Sequence, residues 1–156
     1  QGDEPFLRPE QIETLCRCFD DSATEIATLV KPFAETDGLA ALENPNSPKV
    51  ALGAGSRALY FSRSVIPYLR GVPKEEWLRR HTFYKHIGMY AFRAETLRRI
   101  ASLPQSPLEV AESLEQLRWL EHGCRIGVAI TDAETVGIDT PEDLVRAEEF
   151  LKKRTG

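Results

Sequence analysis

Two periods alternate along this chain. Ile12, Leu15, Cys16 and Phe19 recur at i, i+3, i+4 and i+7, which predicts an amphipathic helix over Pro9–Phe19. Asp20-Asp21-Ser22 ends it, and Ile26–Val30 follows as a short apolar strand closed by Lys31-Pro32. Glu35–Leu42 is a weaker helix, and Asn44-Pro45-Asn46-Ser47-Pro48 an emphatic turn. Lys49–Leu52 and Ala58–Ser62 read as a hairpin around Gly53-Ala54-Gly55-Ser56. Arg63 to Arg80 has no period and holds Pro67, Gly71, Pro73 and Trp77, which reads as exposed. An excursion of that kind serves as a lid or an interface.

Thr82–Phe92 alternates as a strand, and Ala94–Ala101 is a helix with Leu97, Ile100 and Ala101 on its apolar side. Ser106, Pro107 and Glu109 form a helix start with a capping box. The helix it opens is expected to run through Leu114, Leu117 and Leu120 to Gly123. Ile126–Ile130 is the next strand. Thr140 as N-cap and Pro141 at the first position then open a final helix through Leu144, Ala147, Phe150 and Leu151. Strands alternating with helices predict an α/β fold.

Composition narrows the classes. The 156 residues, 42% hydrophobic, make one domain's length. No apolar run approaches the ~20 residues of a membrane span, and no secretory signal is evident. A net charge of −4 excludes nonspecific nucleic-acid binding as an expectation. Cys16, Cys18 and Cys124 offer neither a zinc pattern nor a disulfide framework, so they read as free thiols in a cytoplasmic protein. Gln1-Gly2-Asp3-Glu4-Pro5 resembles a segment that follows a strand, so residues of a larger protein are expected before it.

Asp3 and Asp139 are the first chemical candidates. Each reads as a carboxylate beyond a strand end, where open α/β sheets bind ligands. Together they can hold Mg²⁺, a hard cation that takes carboxylate and phosphate oxygens; taken singly, each is also an ordinary turn or cap acid. Arg63 leaves the strand Ala58–Ser62 directly and can clamp a carboxylate or phosphate, or be a surface arginine. His86, Gly88 and Tyr90 share one face by period two and read as a pocket wall, or His86 as a structural histidine. Glu115-Gln116 lies within a helical run, as a solvated pair or as partners for sugar hydroxyls. Lys49 reads as a surface charge.

Six blocks then carry a resemblance: Gln1-Gly2-Asp3-Glu4-Pro5, Ala58-Leu59-Tyr60-Phe61-Ser62-Arg63, His86-Ile87-Gly88-Met89-Tyr90, Ser106-Pro107-Leu108-Glu109, Leu114-Glu115-Gln116-Leu117-Arg118 and Gly137-Ile138-Asp139-Thr140-Pro141-Glu142-Asp143-Leu144. In this order they resemble the 3-deoxy-manno-octulosonate (Kdo) cytidylyltransferases, the CMP-Kdo synthetases. CMP-sialic acid synthetase is the neighbouring family; the Tyr-Phe-Ser-Arg and Leu-Glu-Gln-Leu-Arg blocks favour the Kdo branch.

The resemblance implies a three-layer α/β/α, Rossmann-like nucleotide-diphospho-sugar transferase fold, present here as a partial single domain over residues 1–156. It implies a cytoplasmic, Mg²⁺-dependent homodimeric enzyme that transfers CMP from CTP to Kdo, releasing pyrophosphate, for lipopolysaccharide biosynthesis. Asp3 and Asp139 would anchor the metal at the reacting centre. Gln1, Arg63, His86, Tyr90, Glu115 and Gln116 would line the sugar pocket, with Arg63 on the sugar carboxylate. The excursion at 63–80 would serve the dimer interface. The alternatives are a related sugar acid such as sialic acid, or an inactive sugar-binding domain. Two departures stand out. The family's basic loop, Ala-Arg-x-x-Ser-x-Arg-x-Pro-x-Lys, which grips the CTP phosphates, is absent from these residues, so the piece alone is expected to be inactive. The family's Pro-Gly-Thr-Gly is replaced by Ala133-Glu134-Thr135-Val136-Gly137.

Overall fold

A computed structural model describes residues 8–132. Strand β1 (Ile26–Pro32) is its centre. All of residues 26–30 are fully buried, as expected of a strand covered on both faces. It pairs in parallel with β5 (Ile126–Ile130) and antiparallel with β4 (Tyr84–Phe92). Strand β4 pairs with β2 (Lys49–Gly53), which forms the expected hairpin with β3 (Arg57–Ser62). The hairpin turns through Gly55 and Ser56, both at positive φ. The mixed sheet curls until β3 meets β5 at Arg57 and Gly127.

Helices flank the sheet on both sides. Helix α1 (Pro9–Arg17) packs Leu15 against Ala27, Leu29 and Ile87. On the other face α4 (Ala94–Ile100) and α6 (Gln116–Glu121) cover a larger core, and α5 (Pro107–Glu112) packs on α6. That core includes Ile26, Val30, Phe61, Leu117, Trp119 and Ile126. A third cluster, Leu42, Trp77 and Phe83, joins α2 (Gly38–Glu43) to α3 (Trp77–Arg80).

Several expectations change. Helix α1 turns Gln11 and Leu15 inward and leaves Ile12 and Cys16 exposed. The Gln11 Oε1 accepts the Arg8 amide at 3.0 Å, so this side chain takes the buried place at the helix start. The Glu35–Leu42 segment splits into a 3₁₀ turn at Glu35–Asp37 and α2. Helix α4 buries Thr96 and Ile100, while Leu97 is exposed. Trp77 is not exposed: it is 2% accessible, stacks on Phe83 and donates its indole N–H to the Val72 carbonyl at 2.9 Å. Lys49 is not a surface charge either, being wholly buried.

The expected single helix from Pro107 to Gly123 is two helices. They meet at Ser113, which is left-handed (φ 51°, ψ 49°). A continuing helix needs the carbonyls of Glu112 and Ser113 for the amides four residues on. Both carbonyls are instead taken by the Arg63 guanidinium, at 2.7 and 3.2 Å. The chain turns there, and α6 starts afresh at Gln116. The capping box at the head of α5 forms as expected on its Glu109 side, which accepts the Ser106 amide at 3.2 Å. Glu109 also holds Arg118 of α6, with 2.7 Å to Nε. That pair ties the two helices together and keeps the Glu109 carboxyl below its ordinary range.

Candidate active site

Five of the eight candidate residues are described. Arg63, at the exit of β3, grips the elbow between α5 and α6 that carries Glu115 and Gln116. His86 and Tyr90 sit together on β4, with Tyr90 against Trp119 of α6. Asp3, Asp139 and Gln1 lie outside the described residues. Among the described residues no three His, Cys, Asp or Glu side chains group as a metal site.

His86 and Tyr90 build one wall from β4. The pairing jumps from Leu29↔Ile87 to Thr28↔Tyr90, so Gly88 and Met89 have no opposite residue on β1. This bulge breaks the simple period-two reading. Four regular strand residues would span about 13 Å, yet the rings of His86 and Tyr90 sit with centroids 5.4 Å apart. Gly88 lies in the exposed bulge, where a Cβ would meet no atom within 4 Å. That agrees with the open approach expected of it. Phe61 of β3 meets His86 edge-on at 5.0 Å, and Trp119 of α6 meets Tyr90 edge-on at 5.0 Å. The wall is therefore aromatic and rigid.

Burial pushes the His86 imidazole from 6.5 down to about 3, so the ring is neutral near pH 7. Burial first, then the field of Glu115, pushes the Tyr90 phenol above its ordinary value and keeps it protonated. The Glu115 effect links α6 electrostatically to the β4 wall.

Glu115 is exposed, but Gln116 is not. Its side chain is 5% accessible, and its Nε2 is buried with no hydrogen-bond partner. An unpaired buried amide costs about 1–3 kcal/mol, so a protein keeps one chiefly where something else satisfies it.

Arg63 is held more firmly than its sequence context suggested. Nε donates to the Glu112 carbonyl, Nη2 to the Ser113 carbonyl and Nη1 to the Pro45 carbonyl at 2.9 Å. Three of five donors are thus spent on backbone. One N–H remains on each terminal nitrogen, a fork of the shape that a carboxylate accepts.

Three supporting residues have no site role in the sequence reading, two of them unnoticed and Lys49 read as a surface charge. Glu112 accepts Ser62 Oγ at 2.6 Å and the Arg63 amide at 2.9 Å. Lys49 donates from Nζ to the Asn44 carbonyl at 2.9 Å, bracing the turn that Arg63 also grips at Pro45. Burial holds the Lys49 ammonium below its usual value, against the opposing pull of Glu112. Thr28, wholly buried in β1, bonds to the His86 ring at 3.0 Å. Only Lys49 carried a signal: a charge heading an otherwise apolar strand.

The same fold occurs in a solved structure of CMP:2-keto-3-deoxy-manno-octonic acid synthetase complexed with CTP, with a TM-score of 0.85 and 38% identity. The match covers 99% of this chain and 60% of that one. The fold is that of an α/β nucleotidyltransferase-like domain. The chain belongs to the cytidylyltransferase family, whose family model matches residues 1–126. It is 65% identical over 156 residues to a 3-deoxy-manno-octulosonate cytidylyltransferase of Phocaeicola vulgatus, covering 62% of that protein. A protein of the same name from Koribacter versatilis is 44% identical over 154 residues, of which 55% is covered. The chain therefore spans roughly three fifths of the length of the curated relatives it matches.

Proposed function

We propose that the full-length protein transfers CMP from CTP to Kdo and that the described residues form its sugar pocket. The buried, unpartnered Nε2 of Gln116, on the same helix face as the Trp119 that packs on Tyr90, carries this reading. It is a donor lacking an acceptor, at a wall of neutral polar groups suited to hydroxyls. Arg63 offers its remaining fork to the sugar carboxylate, and Glu115 and Gln116 take hydroxyls. His86 and Tyr90 present neutral polar atoms on an aromatic surface. Gln1 would close the pocket from the N-terminal side.

In the reaction the anomeric hydroxyl of Kdo attacks the α-phosphorus of CTP and pyrophosphate leaves. Such a transfer depends on holding two reactants in line. The pocket residues contribute that alignment from the sugar side. Asp3 and Asp139 supply carboxylate oxygens, the donor type that Mg²⁺ takes. A bound Mg²⁺ would neutralise phosphate charge and acidify the attacking hydroxyl.

A homodimer joined through the excursion at 63–80 fits the exposure of Tyr68, which is 72% accessible there. Cytoplasmic placement agrees with three unpaired cysteines. No helix of the described residues is long and apolar enough to cross a membrane. Lipopolysaccharide biosynthesis is the role that CMP-Kdo would serve.

Full-length enzyme should release pyrophosphate from CTP only with Kdo and Mg²⁺ present, and Asp139→Asn should abolish release while the fold persists. Release with sialic acid but not Kdo contradicts the sugar assignment. Tight Kdo binding with no release for any nucleotide contradicts the enzyme.

A further inference from the structure

We infer that Thr28 is a positioning residue of the sugar pocket: its hydroxyl accepts the Nε2 proton of His86 and leaves Nδ1 as an acceptor for a sugar hydroxyl. The inference rests on the sugar-pocket reading for its ligand, but not for its geometry.

Proton counting carries it. Thr28 Oγ1 lies 2.9 Å from the Met89 carbonyl, 3.2 Å from the Ile87 carbonyl and 3.0 Å from His86 Nε2. A hydroxyl has one proton and two lone pairs, and carbonyls only accept. The single Thr28 proton goes to a carbonyl, with Met89 the nearer. Toward His86 the hydroxyl can then only accept, so Nε2 carries the hydrogen.

The opposite arrangement has Thr28 donating to Nε2. It would take the hydroxyl proton from the Met89 carbonyl, in a bulge whose residues Gly88 and Met89 have no cross-strand partner. Thr28 is wholly buried, so water does not readily replace that proton. The neutrality of the His86 ring agrees with one donor and one acceptor nitrogen.

The bulge and the tautomer are therefore one device. Looping out Gly88 and Met89 turns the Ile87 and Met89 carbonyls onto Thr28 and draws His86 and Tyr90 together. The donor nitrogen of His86 is spent inside the protein. What the ring offers a ligand is a lone pair, which selects a hydroxyl and disfavours a carboxylate or phosphate oxygen. This divides the work in the pocket: Arg63 takes the acid group and His86 a hydroxyl.

Long-range ¹H–¹⁵N spectra of the full-length enzyme at pH 7 test the claim, with His86 assigned by its absence in His86→Gln. The expected pattern is the neutral Nε2–H tautomer. An Nδ1–H tautomer or an imidazolium overturns the inference, and this readout needs no variant at Thr28. Thr28→Val should mix the tautomers and raise KM for Kdo about ten-fold, the loss of one hydrogen bond. KM for CTP should stay within about two-fold, and Thr28→Ser should restore the tautomer and KM for Kdo. An unchanged KM for Kdo in a folded Thr28→Val enzyme overturns the positioning role. If the Nε2–H tautomer is found but Kdo is not a substrate, the substrate reading alone fails.

Discussion

Arg63 and Glu112 grip each other through both backbone and side chain. The Arg63 amide donates to the Glu112 carboxylate at 2.9 Å, and Arg63 Nε donates to the Glu112 carbonyl at 2.7 Å. The grip ends α5, sets the left-handed turn at Ser113 and so places Glu115 and Gln116. It also fixes the plane of the guanidinium, leaving two N–H groups for a ligand. A candidate pocket residue and the elbow that carries two other candidates are thus one mechanical unit.

Glu112→Ala should uncouple that unit. Ser62 Oγ and the Arg63 amide lose a charged acceptor in a partly buried place. Stability should fall by about 2 kcal/mol, read by urea unfolding, and KM for Kdo should rise with KM for CTP little changed. Arg63→Lys should weaken Kdo more, since a single ammonium cannot brace three carbonyls and still present a fork. Equal loss toward both substrates would argue against the assignment.

Gln116→Met should separate stability from function. Methionine keeps the length of the side chain and removes the unpartnered Nε2. Unfolding free energy should rise by about 1 kcal/mol, while KM for Kdo rises. A less stable variant with unchanged KM would show that the amide is satisfied within the fold.

His86 should govern an acid-side loss of stability. Its value near 3 in the folded protein lies below the ordinary 6.5, so between those limits the unfolded chain binds more protons. Its contribution is complete above pH 6.5 and is lost as pH falls toward 3, by at most about 1.4 kcal/mol per pH unit. His86→Gln should flatten the fall. An identical slope would place the ring in water.

Lys49 should act on the alkaline side. Its folded value is held below the ordinary 10.5, so the unfolded chain again binds more protons in the window beneath 10.5. Wild type should gain stability relative to Lys49→Met as pH rises through that window. Removing a buried ammonium in favour of an apolar chain is otherwise near neutral or stabilising. A difference that does not vary with pH would mean an ordinary, solvated lysine.

The strands, the hairpin and the alternation that makes an α/β fold were legible because their signals are local: Ile26–Val30 and Ile126–Ile130 are runs, and Gly55-Ser56 is a turn. Four of the five described candidates came from types that suit sugars and phosphates; Gln116 drew notice beside Glu115, but its burial did not show. What stayed hidden depends on partners distant in sequence. The break at Ser113 is made by Arg63, fifty residues earlier. The bulge at Gly88–Met89 is answered by Thr28. Trp77, amid charges, looked exposed until Leu42 and Phe83 closed over it. Lys49 looked like surface until the Asn44 turn folded onto its ammonium.

A crystal structure of the full-length enzyme with Kdo bound tests the central claim most directly. The account predicts the sugar against His86 and Tyr90, with Gln116 Nε2 within about 3.2 Å of a sugar oxygen and the Kdo carboxylate on the open edge of Arg63. Kdo bound elsewhere, with the Gln116 amide still unpartnered, would contradict it.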